Sequence, residues 1–330
     1  MSFRAFVVDK SEDSFSAEVA ELDESRLPEG EVTVRVEWSD INFKDGLACI
    51  RDGRVISSYP MTPGIDLAGS VTASSDGRFK EGDGVLVTGY DLGVGHPGGF
   101  AELARVPADW LVHLPDGLNA QEAMALGTAG FTAALSVYEF ERNGIGPDSG
   151  PVLVTGATGG VGSTAVAMLA GLGYTVAAST GKDGEHAFLR SIGASEILSR
   201  EEVSAESGRP MEKARWAGAV DPVGGSTTAY LLRTTRPGGV VALSGLTGGT
   251  AISTTVFPFI LRGVKLVGID SVYAPMSIRE ELWRRLGTDL KPAGLLETIA
   301  EETTLEGVIG ATAKILKGEI RGRTLVRLRD

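Results

Sequence analysis

The sequence predicts an α/β protein, a doubly wound parallel sheet joined to an irregular β-rich domain, and three observations carry the prediction. The apolar run Val152-Leu-Val154 leads through a glycine cluster into an Ala-rich segment, the strand, turn and helix order of a dinucleotide-binding unit. From Ala120 onward strand and helix signals alternate, as a parallel sheet requires. Ahead of Ala120 the signals are short strands punctuated by Gly and Pro, which suits a β-rich domain.

In the first half the clearest strand is Val32, Val34, Val36 and Trp38 alternating with Thr33, Arg35 and Glu37, a period of two that leaves one buried face. Further strands are expected at 5–8, 67–73, 85–88 and 100–106. A helix is expected to begin near Lys44. In the second half a helix spans 122–140, followed by strands at 152–154, 174–178, 218–223, 240–244 and 264–269 with helical segments between them. The last stretch carries helices around 278–286 and 305–316 and a strand at 324–328. A chain of 330 residues exceeds the size at which one hydrophobic core usually stops growing. The expected division is 1–123 with 267–330 as the β-rich domain, and 124–266 as the nucleotide-binding domain.

Composition excludes several classes. A formal net charge of −12 argues against a nucleic-acid partner, whose phosphates call for clustered cations. The polar, acidic amino terminus lacks the apolar core of a signal peptide, and no apolar stretch is long enough to span a bilayer, so a cytoplasmic protein without membrane attachment is expected. The single Cys49 cannot form an intramolecular disulfide and reads as a buried structural residue.

The segment Val152-Leu-Val-Thr-Gly-Ala-Thr-Gly-Gly-Val-Gly-Ser163 reads as a phosphate cradle, since glycines let the backbone approach a pyrophosphate at a helix N-terminus. Ala157 takes the place of the first glycine of the strict pattern. Thr158, Gly159, Gly160 and Val161 are therefore candidate phosphate contacts. The next strand ends Ala178-Ser-Thr-Gly-Lys182, where an acid would hold the ribose 2′-hydroxyl of NAD. Ser179, Thr180 and Lys182 suit a 2′-phosphate instead, so the expected cofactor is NADPH. Asp183 is a nearby acid that would repel that phosphate if it turned inward.

The runs Leu22-Asp-Glu-Ser-Arg-Leu-Pro-Glu-Gly30, Asn42-Phe-Lys-Asp-Gly46, Tyr59-Pro-Met-Thr-Pro-Gly-Ile-Asp66, Gly127-Thr-Ala-Gly-Phe-Thr132, Thr254-Thr-Val-Phe-Pro-Phe-Ile-Leu-Arg262 and Arg321-Gly-Arg-Thr324 add a resemblance. With the glycine turn, they resemble the YhdH/AcuI branch of the medium-chain dehydrogenase/reductase superfamily over essentially the whole chain. That branch comprises NADPH-dependent acryloyl-CoA reductases, also named quinone oxidoreductases. The resemblance implies a Rossmann domain and a discontinuous GroES-like catalytic domain. Zinc-dependent members of the superfamily hold their catalytic metal with a cysteine, a His-Glu pair and a further ligand. Here Ile65-Asp66 and Asn42 stand at or near those places, and His96, His113 and His186 are not at ligand spacing, so no metal is expected.

The implied reaction is hydride addition to the β-carbon of an enoyl thioester, with charge developing on the thioester oxygen and a proton reaching the α-carbon. By resemblance Asn42, Phe43 and Asp45 line the active-site floor. Asn42 is the candidate positioning group, Asp45 the candidate for a proton network, and Phe43 a cofactor contact. Asn42 and Asp45 equally suit the capping of the helix that begins beside them. Tyr90 and His96 lie in a loop that the family places beside the cleft, as proton donors or as substrate packing, and Tyr90 is the candidate carried forward. Thr128, Ser271 and Arg323 are further cofactor contacts by the same resemblance. Lys44, Arg51 and Arg54 are candidates for the phosphates of a CoA thioester, the expected small-molecule partner, and the family expectation is a homodimer. An NADPH:quinone or alkenal reductase and a non-catalytic NADPH-binding protein stay open as alternatives.

Overall fold

A computed structural model describes residues 2–329. The chain divides into two compact units, Met1–Thr128 with Val272–Gly287 and Leu295–Asp330, and Ala129–Ser271 with Thr288–Gly294. Among the described residues no helix is long and apolar enough to cross a membrane.

The first unit is β-rich. Its main sheet runs in the order Ala300–Thr304, Arg323–Arg327, Val32–Asp40, Asp66–Ser74, Gly84–Thr88 and Val112–His113, with Leu103–Val106 also paired to Val32–Asp40. Val32, Val34 and Val36 are fully buried, as their alternation predicts. A register irregularity between Val36 and Trp38 then interrupts the ladder. Trp38 is only half-buried, and the consecutive Ser39 and Asp40 are both buried, which a bulge in the strand allows. The irregularity therefore buries a carboxylate at the strand's end.

The expected strand at 5–8 is longer, Ser2–Lys10, and pairs antiparallel with Phe15–Asp23. The sequence reading missed the latter because none of its residues is buried. Backbone pairing defines it, with Phe15, Ala17 and Val19 only partly buried against the core. Ala300–Thr304, a polar strand likewise without a buried residue, escaped notice as well.

The second unit is a six-stranded sheet ordered Glu196–Ser199, Val176–Thr180, Val152–Val154, Trp216–Asp221, Thr235–Leu243 and Lys265–Gly268. Every pairing in it is parallel. Along the chain this order is third, second, first, fourth, fifth and sixth, so the winding reverses between Val152–Val154 and Trp216–Asp221. Ligands of such sheets bind outside the carboxyl ends of the strands at that reversal. The interior strands Val152–Val154 and Trp216–Asp221 are buried along their whole length, as near-continuous apolar runs in parallel sheets are.

The helix expected at 122–140 spans Ala120–Arg142 and is broken at Gly127, whose φ of 52° and ψ of −157° are non-helical. A β-carbon at Gly127 would lie 1.9 Å from Asp40 Oδ2 and 2.8 Å from Arg323 Nη2. Glycine is thus required here twice, for a positive φ and for the space its missing side chain leaves. Gly127→Ala is expected to lower unfolding free energy by more than about 2 kcal/mol in a urea titration. A loss under about 0.5 kcal/mol would show that the break tolerates a side chain.

Candidate active site

Within the parallel-sheet unit the glycine turn begins where Val152–Val154 ends. Gly156 adopts a φ of 52°, and Ala157 N–H donates to the Ser179 carbonyl at 3.0 Å, tying the turn to the next strand. Gly159 then caps the helix Gly160–Gly171 with no side-chain hydrogen bond. The first N–H groups of that helix have no intrahelical acceptors, which leaves them for an anion. A β-carbon on Gly162 would stand 2.3 Å from the Gly156 carbonyl oxygen, so this glycine lets helix and turn close on each other.

Asp221, unassigned from sequence, anchors the turn. It is fully buried at the end of Trp216–Asp221. Its Oδ1 accepts from Thr155 Oγ1 at 2.6 Å and from the N–H groups of Val223 and Gly224 at 3.0 and 3.2 Å, while Oδ2 accepts from Thr228 Oγ1 at 2.5 Å. One carboxylate thereby fixes the loops after two adjacent strands at the reversal of the sheet. The available signal was an acid closing an apolar strand before Pro222-Val-Gly-Gly225.

At the end of the second strand Ser179 and Thr180 are 3% and 4% exposed. Ser179 Oγ donates to the Ser199 carbonyl at 3.4 Å, Thr180 Oγ1 lies 3.4 Å from Thr158 Oγ1, and Lys182 N–H donates to Thr180 Oγ1 at 3.0 Å. Lys182 is half-buried, and Asp183 opens an exposed short turn. The structure brings Thr158, Ser179, Thr180 and Lys182 together. Gly159, Gly160 and Val161 begin the helix beside them, and half-buried Ser271 ends the stretch that follows Lys265–Gly268.

The β-rich unit carries a second cluster. Asp40, Asp45 and Asp66 are each 0% exposed, Asn42 is 7% exposed and Arg323 is 2% exposed. Asn42 Nδ2 donates to Asp40 Oδ1 at 2.5 Å and to Asp66 Oδ2 at 2.8 Å. Arg323 Nη2 stands 2.8 Å from Asp40 Oδ2, and its other nitrogens reach Asn42 Oδ1 at 3.3 Å and the Ala125 carbonyl at 3.3 Å. Thr128 closes the far side, its Oγ1 donating to Asp66 Oδ1 at 2.5 Å and its N–H to Oδ2 at 2.7 Å.

Asp45 opens out the capping alternative. Its Oδ2 accepts the Asn42 N–H at 2.8 Å, which caps the helix Phe43–Ala48, and its Oδ1 accepts from the Gly64 and Ile65 N–H groups at 3.2 and 3.0 Å. The Asn42 side chain makes no cap hydrogen bond, because Asp40, Asp66 and Arg323 engage it. Phe43, first residue of that helix, is 40% exposed.

Three buried carboxyl groups around one guanidinium cannot all ionise cheaply. Burial pushes Asp45 up to about 7 against the pull of its backbone donors. Burial also holds Asp40 well above the ordinary carboxylate range, with Arg323 opposing and Asp66 adding to the rise.

Tyr90 has a φ of 53°, uncommon for a residue with a side chain. Its ring stacks on Trp110 at 5.3 Å, and the Arg279 guanidinium carbon lies 4.7 Å from the ring centroid. Arg279 is fully buried and donates to the Thr88 carbonyl and Oγ1, both at 2.9 Å, and to the Val272 carbonyl at 3.1 Å. Sequence reasoning did not single it out. His96 packs edge-on against Trp110, and burial holds its pKa below the ordinary value. Cys49 is buried and pushed up to about 12 by that burial, which makes it an inert thiol. Arg51 donates to the carbonyls of Ser11 and Glu12, while Lys44 is half-buried and Arg54 exposed. Among the described residues no group of three or more His, Cys, Asp or Glu is placed to hold a metal ion.

Comparison with known proteins gives concordant matches. Residues 28–116 match the alcohol dehydrogenase GroES-like domain, and residues 160–287 match the zinc-binding dehydrogenase family. The acrylyl-CoA reductase AcuI of Ruegeria pomeroyi is 50% identical over 326 residues, covering 98% of each chain. The yhdH oxidoreductase of Salmonella enterica, solved in complex with NADP, superposes with a TM-score of 0.96 at 50% identity, over 99% of this chain and 100% of that one. The Bacillus subtilis protein yhfP, solved with NAD bound, gives a TM-score of 0.97 at 51% identity over 99% and 100%.

The raised pKa of Asp45 yields a pH test. Between about pH 4 and pH 7 the folded protein keeps a proton that the unfolded chain has released. The stability this contributes is full below that window and is lost as pH rises through it. Asp45→Asn carries no such proton, so the stability of the natural protein relative to this variant is expected to fall by on the order of 2–4 kcal/mol across the window. Urea unfolding of both at several pH values checks this, and a constant difference would contradict it.

Proposed function

Since the chain belongs to the YhdH/AcuI branch of the medium-chain dehydrogenase/reductase superfamily, we propose that it uses NADPH to reduce the C=C bond of acryloyl-CoA, giving propanoyl-CoA. The observation that carries this reading is the match to an acrylyl-CoA reductase at 50% identity along 98% of each chain, joined to a second strand that ends without a carboxylate.

The parallel-sheet unit fits the cofactor. Its glycine turn has a helix N-terminus without a side-chain cap, and a side chain at Gly162 would fill the close approach behind it. Thr158, Gly159, Gly160 and Val161 would hold the pyrophosphate, Ser179, Thr180 and Lys182 would bind the 2′-phosphate, and Ser271 would contact the nicotinamide half. When bound, NADPH supplies the hydride that adds to the β-carbon.

In the β-rich unit Asn42 and Asp45 act as positioning residues, because their polar atoms are already engaged within the fold. They hold Phe43 at the start of its helix, exposed for contact with the cofactor. Arg323 supports the same place through Asp40 and Asn42, and Thr128 fixes the turn by its bonds to Asp66. Tyr90, held by Trp110 and Arg279, packs the acyl group. The proton for the α-carbon comes from water, so the balance is acryloyl-CoA, NADPH and one proton giving propanoyl-CoA and NADP.

Such a reductase, drawing on NADPH and a CoA thioester, works in the cytoplasm. The exposed Val256, Phe257, Ile260 and Leu261, just ahead of the edge strand Lys265–Gly268, support a homodimer.

Steady-state turnover with NADPH on acryloyl-CoA, a benzoquinone and a free enal tests the substrate. The highest kcat/KM is expected on the thioester. Failure on the thioester with fast quinone reduction would replace this reading by a quinone reductase.

A further inference from the structure

We infer that Arg279 is a positioning residue that holds Tyr90 where its ring limits the length of the acyl chain, a role resting on the proposed reduction of an enoyl thioester. The helix Met276–Leu286 buries Arg279, Leu282, Trp283 and Leu286, the spacing of one inward helical face. Its first inward place thus holds an arginine, where an apolar residue would be buried without the cost of desolvating a charge. The contacts of that arginine show what the charge is kept for.

Arg279 Nη1 donates to the Thr88 carbonyl and to Thr88 Oγ1, both at 2.9 Å, and Nη2 donates to the Val272 carbonyl at 3.1 Å. The same Val272 carbonyl accepts the Tyr90 N–H at 3.3 Å, and the Tyr273 hydroxyl donates to Asp91 Oδ1 at 3.3 Å. The end of the strand Gly84–Thr88, the turn after it and residues 272–273 are therefore clipped together around one guanidinium. Its face serves as well, since Cζ lies 4.7 Å from the Tyr90 ring centroid, while Trp110 stacks on that ring with an interplanar angle of 3°.

Tyr90 needs this support. Its φ of 53° is left-handed backbone, which a residue with a β-carbon keeps only where its surroundings over-determine it. Arg279 fixes the chain at Thr88, shares an acceptor with the Tyr90 N–H and holds the ring, so one side chain sets both the conformation and the place of the aromatic wall. A lysine would bring the charge without the planar set of donors and the flat face that does both. Held between an indole and a guanidinium, the ring cannot swing aside for a longer acyl chain.

The ratio of kcat/KM on acryloyl-CoA to that on hexenoyl-CoA, both with NADPH, reads the position of the ring, whereas general damage to the fold lowers both values together. The natural protein is expected to prefer acryloyl-CoA. Arg279→Lys should lower that preference about tenfold, and Trp110→Leu, which frees the same ring from its other contact, should lower it in the same direction and reads the wall even if Arg279→Lys does not fold. Because Arg279 acts through Tyr90, adding Arg279→Lys to Tyr90→Leu should leave the ratio of the single Tyr90→Leu variant unchanged. A ratio that stays at the natural value in Arg279→Lys and Trp110→Leu, or that Arg279→Lys shifts equally in the Tyr90→Leu background, would overturn the role of Arg279, as would a natural protein that takes both thioesters equally well. A natural protein that reduces neither thioester would instead overturn the enoyl-thioester reading beneath it, and the inference with it.

Discussion

The β-rich unit depends on one buried contact, that of the Arg323 guanidinium with the Asp40 carboxyl group. Around it the Asn42 amide, two further carboxyl groups and Thr128 bring together five separated stretches of chain: 40–45, 64–66, Ala125, Thr128 and Arg323. A single guanidinium against three buried carboxyl groups leaves the cluster short of positive charge. Protons held by the carboxyl groups make up the difference, which is the physical sense of the raised pKa values of Asp40 and Asp45. The interrupted ladder after Val36, the break at Gly127 and the cap on the helix at Phe43 all make room for this cluster.

The parallel-sheet unit solves a similar problem with one acid. Asp221 gathers donors from its own loop, from Thr155 and from Thr228, and so holds the glycine turn without a ligand in place. A phosphate site built this way is preorganised, since its N–H groups need not be reoriented on binding. No matching acid ends Val176–Thr180, on the other side of Val152–Val154, and Ser179, Thr180 and Lys182 occupy its place. The two strand ends thereby divide the labour, one fixing the backbone and the other reading the ribose.

Much of this was legible in the sequence where chemistry and periodicity coincide. The run Val152-Leu-Val154 with its glycines, the alternation at Val32 to Val36 and the strand and helix succession after Ala120 each bury an apolar face, and burial leaves a pattern. Ala300–Thr304 was not legible, because an edge strand can pair without an apolar residue. The polar anchors were hidden for a different reason. Asp40, Asp66, Asp221 and Arg279 show their type in the sequence but not their partners, most of which lie far along the chain. Arg323 was noticed through its motif, yet its occupation by Asp40 and Asn42 became visible only with the fold.

The central claim joins this scaffold to a reaction in which hydride and proton go to different carbons of the same thioester. It is tested most directly by single turnover of acryloyl-CoA with NADPH deuterated at each of its two C4 positions in turn, followed by mass spectrometry and NMR of the product. One of the two labelled cofactors is predicted to place its deuterium in the terminal methyl group of propanoyl-CoA, with ordinary hydrogen from water at the α-carbon. Deuterium at the α-carbon, or no transfer from either labelled position, would contradict the account.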